Sequence, residues 1–197
     1  MKSAERLTCL LKIIVGGDSA GGNLASALLL HLAKPHTDIA PIDLRNPLRG
    51  ALLISPWISF NLIYPSLLEN EETDYITTKA IQKAIAHLIP PGKKPDAYTD
   101  PLSAPLEWWA TVRKTVVQHF FIGAGESEAL RDGIVDFGTT LKEAPGEDPV
   151  EGTVQLVVTP KEAHVQMVFD PHLRLGSKTV GGLEIEKWLA KMLTTKV

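Results

Sequence analysis

A chain of 197 residues has the length of one ordinary domain, and its content of 44% hydrophobic and 22% charged residues is typical of globular proteins. The net charge of −3 gives no basic face for nucleic acid or anionic lipid. A single cysteine, Cys9, excludes an internal disulfide and a cysteine-based metal site. The first nine residues lack the apolar core of a signal peptide, so this chain alone favours a cytoplasmic location.

Short apolar runs alternate with helical periods along the chain, which predicts an α/β fold with a mainly parallel sheet. We predict a first strand over Lys12–Val15, a Gly-rich turn, and a helix from Ser19 to Lys34 that Pro35 ends. This helix is apolar on most faces, so we expect it to be deeply buried. A second strand is predicted over Gly50–Ser55.

The segment from Trp57 to Trp109 differs in character, because it is rich in Pro, Asn, Asp and Glu. It contains one amphipathic helix, predicted over Thr77–Leu88. One face of this helix is formed by Ile81, Ala84, Ile85 and Leu88. We interpret residues 57–109 as an insertion over the sheet, a partial cap or lid.

The rest of the chain returns to the alternating pattern. A third strand is predicted over Thr115–Ile122, followed by a helix with apolar residues from Leu130 to Leu141. A fourth strand over Thr153–Thr159 and a last helix over Leu183–Leu193 complete a single domain.

The turn after the first predicted strand carries a nucleophile motif. Gly17-Asp18-Ser19-Ala20-Gly21 matches G-x-S-x-G, between an apolar strand and an apolar helix, as in the nucleophile elbow of serine hydrolases. Such a tight turn needs small residues two before and two after the serine, so we expect Gly17 and Gly21 to leave room. The elbow would expose Ser19 Oγ and aim the Ala20 N–H at a developing oxyanion.

The alternative interpretation is a glycine-rich turn that binds phosphate at a helix N-terminus. A Walker loop needs Gly-Lys-Ser/Thr, which does not follow this turn. Gly17, Gly21 and Gly22 do not have the G-x-G-x-x-G spacing of a dinucleotide site. The elbow is therefore the favoured interpretation.

A nucleophilic serine needs a histidine base. His164 follows the last predicted strand, in the loop where this fold places the base, and His172, after Asp170-Pro171, is a weaker loop candidate. The other histidines lie on or just after helices (His31, His36, His87) or inside a strand (His119).

The histidine in turn needs an orienting acid, and three carboxylates follow the third predicted strand: Glu126, Glu128 and Asp132. Asp132 lies a turn into the helix, where pairing or capping is its more natural role. Position alone does not choose between the two glutamates.

The nucleophile segment Gly17-Asp-Ser-Ala-Gly-Gly-Asn23 resembles that of the hormone-sensitive-lipase-like α/β-hydrolases. Ser55-Pro-Trp57 is similar to the end of their next strand, and Glu128-Ala-Leu-Arg-Asp132 resembles their acid motif. The resemblance implies the C-terminal part of an α/β-hydrolase fold, and its register selects Glu128 as the triad acid with Glu126 in reserve. The glutamate and the Ala-His-Val around His164 look most like the fungal branch, which includes steryl acetyl hydrolases.

Family members also carry a His-Gly-Gly-Gly loop upstream of the serine that supplies other oxyanion donors. This sequence has no His-Gly-Gly and only 18 residues before Ser19, so we expect an N-terminally truncated hydrolase. Loss of one oxyanion donor costs ~10²–10³ in rate, so turnover of the short chain should be weak. Strand 12–15 should be an open sheet edge, and we expect self-association through it.

The resemblance implies hydrolysis of short-to-medium acyl or sterol-type carboxylic esters, without metal or organic cofactor. Ser19 would attack the carbonyl, His164 would take its proton and Glu128 would orient His164. The expected partner is a small apolar ester, bound by the cap. Two other classes stay open: a catalytically impaired truncated fragment, and a hydrolase-derived small-molecule binder, against which the complete triad counts.

Overall fold

A computed structural model describes residues 13–144, 153–173 and 179–194. In these ranges four parallel strands form one sheet, in the order β1-β2-β3-β4. The strands are β1 (Ile14–Asp18), β2 (Leu48–Ile54), β3 (Val117–Gly125) and β4 (Val154–Thr159). The predicted α/β class with a parallel sheet is confirmed.

Helices lie in every connection between successive strands and after the last one. They are α1 (Ala20–Ala33), α2 (Pro65–Glu69), α3 (Thr78–Leu88), α4 (Leu106–Thr111), α5 (Arg131–Glu143), α6 (Gln166–Leu173) and α7 (Val180–Thr194). A 3₁₀ turn, Pro101–Ser103, precedes α4, and a π-helical turn, Val112–Val116, joins α4 to β3. Within the described ranges, no helix is long and apolar enough to cross a membrane.

Each face of the sheet carries its own hydrophobic core. Successive residues of a strand point to opposite faces, so Phe120 and Phe121 of β3 enter different cores. Phe120 belongs to the core of α1, α4 and α5, which includes Trp109 and Phe137. Phe121 belongs to the core on the other face, which includes Trp188 of α7. The sheet is thus covered by helices on both sides.

The observed strands begin and end a few residues from the predicted ones. β1 continues through the glycines to Asp18, whereas the prediction ended at Val15; Lys12 and Cys9 lie outside the described residues. β3 starts two residues late, because Thr115 belongs to the π-helical turn, and it continues to Gly125. Apolar runs alone do not reveal that glycines at a strand end remain paired.

The expectation that α1 is deeply buried was wrong. Helix α1 is not covered all round: Leu24 is 71% exposed and Leu28, one turn later, is 37% exposed. In α3 only Ile81 of the predicted face is buried, while Leu88 is 46% exposed. Both helices therefore leave apolar side chains exposed in the described structure.

Strand β1 lies at one edge of the described sheet, and β4 lies at the other. The Ile13 carbonyl accepts from the Arg49 N–H at 2.8 Å, so Ile13 turns its backbone groups toward β2. The N–H and C=O groups of successive residues point alternately to the two sides of a strand. In β1, those of every second residue therefore point away from β2, in the plane of the sheet. The residues of β1 with outward groups are Ile14, Gly16 and Asp18.

Residues 57–109 are fastened to the start of α1 by one buried amide. Nδ2 of Asn23 donates to the Trp57 carbonyl at 2.8 Å and to the Thr99 carbonyl at 2.9 Å. Farther along, Leu67 and Ile81 form a small cluster with Ala129, next to the end of β3. These contacts hold the segment beside the C-terminal ends of β1 and β3.

Candidate active site

Ser19 lies at the junction of β1 and α1 in a backbone conformation that few non-glycine residues adopt, with φ 51° and ψ −120°. Its N–H donates to the Ile54 carbonyl at 3.0 Å, and its own carbonyl accepts from the Trp57 N–H at 2.9 Å. These bonds to the end of β2 hold the strained turn, as in functional sites that store backbone strain. The geometry is that expected of a nucleophile elbow.

The glycines of this turn do not all have the role we expected. A Cβ on Gly17 would clash with the carbonyl of Gly21, and one on Gly22 would lie 2.6 Å from Pro56 Cβ. A Cβ on Gly21 would meet no described atom within 4 Å beyond its chain neighbours and its own helix backbone. The prediction that Gly21 must be small to avoid collision was wrong, because the space is restricted at Gly17 and Gly22.

His164 lies in the loop between β4 and α6, where the sequence placed the base. Its Nε2 is 2.9 Å from Ser19 Oγ, although the two residues are 145 positions apart. The His164 side chain is 1% exposed. Its ring therefore reaches the elbow through the interior, at the carboxyl ends of the strands.

The Glu128 carboxylate lies on the other side of the His164 ring and is fully buried. Its Oε1 is 3.8 Å from His164 Nδ1, and neither atom has a hydrogen-bond partner among the described residues. Two complementary buried atoms thus face each other just beyond hydrogen-bond distance.

The other Glu128 oxygen is held by two donors. Oε2 accepts from Ser55 Oγ at 2.6 Å and from the Gly125 N–H at 2.8 Å. Ser55 is fully buried, and sequence reasoning gave it no role in the site. The signals that it did give were its place at the end of a strand and its membership of the Ser55-Pro-Trp57 motif.

The competing carboxylates have other contacts. Oε2 of Glu126 accepts from the Lys161 N–H at 3.1 Å. Asp132 accepts from the Ser66 N–H at 2.8 Å and from Arg131 at 2.9 Å, in the capping and pairing role expected of it. Neither carboxylate forms a hydrogen bond or ion pair with His164.

The other histidines lie away from the elbow. His31 in α1 accepts from the His36 N–H at 3.0 Å, and His87 in α3 contacts the Lys83 carbonyl. Burial, and next the positive charges of Arg49 and Lys191, lower the pKa of His119. His172 falls within α6 rather than in a loop, which corrects that expectation. In the described ranges, no three side chains of His, Cys, Asp and Glu could together hold a metal ion.

Two half-exposed aromatic side chains form a chain of ring contacts that begins at the histidine. The ring of Tyr75 lies 5.7 Å from that of His164 in an edge-on arrangement, and Phe169 lies 6.3 Å from Tyr75. Burial, followed by the negative charges of Asp74, Glu128 and Asp18, raises the pKa of Tyr75 to about 12. Its hydroxyl therefore stays neutral at working pH and adds no charge to this surface.

Comparisons with known proteins agree with this architecture. A family model described as alpha/beta hydrolase fold matches residues 4–168. A curated esterase of Acinetobacter venetianus is 35% identical over 95 residues, which are 48% of this chain and 28% of the relative. The expected resemblance to hormone-sensitive-lipase-like hydrolases is confirmed by these matches and by the solved structures.

The structural matches cover nearly all of this chain. An esterase from the bacterial hormone-sensitive lipase family is 26% identical, with a TM-score of 0.65, over 92% of this chain and 53% of its own. Carboxyl esterase 2 from the fungus Tuber melanosporum is 21% identical, with a TM-score of 0.70, over 98% and 57%. The chain spans about half the length of these solved relatives.

Proposed function

Because the chain belongs to the alpha/beta hydrolase fold family, we propose that it is a serine carboxylic-ester hydrolase that acts through Ser19, His164 and Glu128. The observation that carries the proposal is the 2.9 Å contact between His164 Nε2 and Ser19 Oγ. A histidine this close to a serine on a strained elbow is the arrangement that activates a hydroxyl nucleophile.

In the proposed reaction Ser19 Oγ attacks the ester carbonyl and transfers its proton to His164 Nε2. Accepting that proton requires the neutral tautomer with hydrogen on Nδ1, which faces Glu128 Oε1 at 3.8 Å. The imidazolium then donates its proton to the departing alcohol. Water then attacks the acyl-enzyme while His164 takes a proton from the water molecule. His164 returns a proton to Ser19 Oγ as the carboxylic acid leaves, and Ser19 is restored.

The negative charge of the tetrahedral intermediate needs donors close to Ser19. Ala20 is exposed at the first position of α1, and its N–H follows the nucleophile directly. The helix N-terminus adds a favourable field for an anion. We assign the Ala20 N–H as one oxyanion donor; the sequence contains no His-Gly-Gly segment of the kind that supplies the others in the family it resembles.

The substrate class proposed is short-to-medium acyl or sterol-type esters. Tyr75, which belongs to the proposed cap of residues 57–109, presents its ring beside His164, and the Phe169 ring lies next to that of Tyr75. Such a surface suits the hydrocarbon part of an ester better than a charged or peptide substrate. The Trp57 carbonyl fixes the start of the cap to Asn23, four residues from Ser19.

The test compares p-nitrophenyl esters from acetate to decanoate with a peptide p-nitroanilide, and adds labelling by a fluorophosphonate. We expect hydrolysis of the esters and a single label on Ser19, both absent in Ser19→Ala. The matched control is Ser103→Ala, which removes an exposed hydroxyl bonded to the Asp100 carbonyl. Preference for the anilide, or a label elsewhere than Ser19, would contradict the proposal.

A further inference from the structure

Ser55, at the end of β2, contacts both the Glu128 carboxylate and the loop that carries His164 through one atom. Its Oγ donates to Glu128 Oε2 at 2.6 Å and accepts from the Val165 N–H at 3.0 Å. A hydroxyl has one proton, so the donor is used on the carboxylate and a lone pair is used on the amide. The same oxygen therefore joins the proposed acid to the residue after the proposed base.

The backbone at both ends of this link is strained. Ser55 has φ 44° and Val165 has φ 57°. For Val165, which is β-branched, such a φ is a genuine outlier. Both residues are buried, and the Ser55 N–H is also fixed, by the Gly123 carbonyl at 2.7 Å. Strained conformations persist where the surroundings over-determine them, as they do at functional sites.

The link also decides which Glu128 oxygen faces His164. Oε2 has both of its donors, Ser55 Oγ and the Gly125 N–H, so rotation of the carboxylate would break two short bonds. Oε1 is left pointing at His164 Nδ1, and it has no other partner in the described part of the chain. A charge-assisted bond of 2.6 Å is among the strong ones, so the orientation is firmly held.

We propose that Ser55 is a positioning residue, whose hydroxyl fixes the Glu128 carboxylate and the His164 loop relative to each other so that Nε2 meets Ser19 Oγ. The inference rests on the proposed hydrolase function and adds a fourth side chain to it. Ser55 touches neither Ser19 nor the substrate's reacting atoms in this scheme, and it acts only through its two neighbours.

The test uses two variants that remove the hydroxyl with opposite effects on the backbone. Ser55→Ala keeps a Cβ at positive φ, whereas Ser55→Gly relieves that strain. We expect kcat to fall by ~10²-fold in both, since a small misplacement of catalytic groups costs that much, with KM little changed. Thermal unfolding should differ between them, with the glycine variant melting higher, so loss of rate will not follow loss of stability.

The matched control is Ser26→Ala, which removes another fully buried hydroxyl, bonded to the Gly22 carbonyl at 2.8 Å. Its kcat should stay near that of the parent chain. Both Ser55 variants retaining parental kcat while Ser19→Ala is inactive would overturn the inference and leave the hydrolase function standing.

A readout without turnover separates the two proposals further. In a crystal structure of Ser55→Gly we expect the Glu128 carboxylate to rotate and His164 Nε2 to move away from Ser19 Oγ. If both side chains keep their places, Ser55 does not position them, whatever the activity. If they move and the parent chain shows no Ser19-dependent hydrolysis, the positioning role holds and the hydrolase function fails.

Discussion

Oε1 of Glu128 and Nδ1 of His164 face each other at 3.8 Å in the interior, and each lacks a hydrogen-bond partner among the described residues. A buried polar atom without a partner is costly, so a shift that closes this gap is favoured. Catalytic hydrogen bonds that are long without substrate often shorten in the substrate complex. The pair is thus placed to tighten when His164 gains its proton.

Replacing Glu128 by Gln removes the charge that would stabilise the imidazolium and can reverse the tautomer of His164. We expect kcat to fall by roughly 10³–10⁴-fold on p-nitrophenyl acetate, as for an orienting acid replaced by its amide. The control is Glu126→Gln, in the same loop, whose carboxylate contacts the Lys161 N–H instead. If Glu126→Gln lowered kcat more than Glu128→Gln did, Glu126 would be the acid.

Two glycines of the elbow, Gly17 and Gly21, are expected to respond differently to replacement by alanine. Gly17→Ala should destabilise the fold by about 2 kcal/mol or more, because its methyl group would meet backbone that cannot move aside. Gly21→Ala should be neutral or stabilising by up to about 1 kcal/mol, since it faces open space in a helix. Urea unfolding measures both; equal losses would contradict the assigned contacts.

The aromatic pair beside His164 is expected to set chain-length preference. Tyr75→Ala and Phe169→Ala should each raise KM for p-nitrophenyl decanoate more than for the acetate, because a longer chain covers more of the removed surface. Ile39→Ala is the control, as Ile39 is 57% exposed and lies outside the proposed cap. Equal KM changes for both esters would show that the acyl chain lies elsewhere.

We propose self-association through the outward backbone groups of β1, because β1 lies at an edge of the sheet that the described residues form. Ile14→Pro removes an outward N–H at the first residue of this strand, a position where proline is tolerated. It should shift the light-scattering mass toward the monomer. Val154→Pro makes the same change at the first residue of β4 and should leave the mass as it is; a monomeric parent chain would refute the proposal.

The elements that could be predicted from the sequence are those set by local apolar periodicity and turn residues. The strand–turn–helix around Ser19 and the helix from Arg131 were predicted because apolar period and turn chemistry agree there. Helix α6 was missed, since it is only eight residues long and contains Pro171 near its end. The exposed Leu24 was also missed, because composition does not say which neighbours a helix face has.

The role of Ser55 illustrates a different limit. Its left-handed backbone, its burial and its contact with a carboxylate 73 positions away are all properties of the assembled sheet. A serine before proline at a strand end is equally typical of a plain turn. The residues alone likewise left Glu126 and Glu128 equivalent, because the donors that distinguish them come from Ser55 and from the end of β3.

The parallel order of the sheet has a consequence for how activity is gained during folding. Each strand pair joins segments some thirty or more residues apart, and such non-local pairings slow folding. Ser19 follows the strand at one edge, and His164 follows the strand at the other. The 2.9 Å contact can therefore form only after every intervening strand has paired. In refolding experiments, helical circular dichroism should recover first, and reactivity of Ser19 should return last.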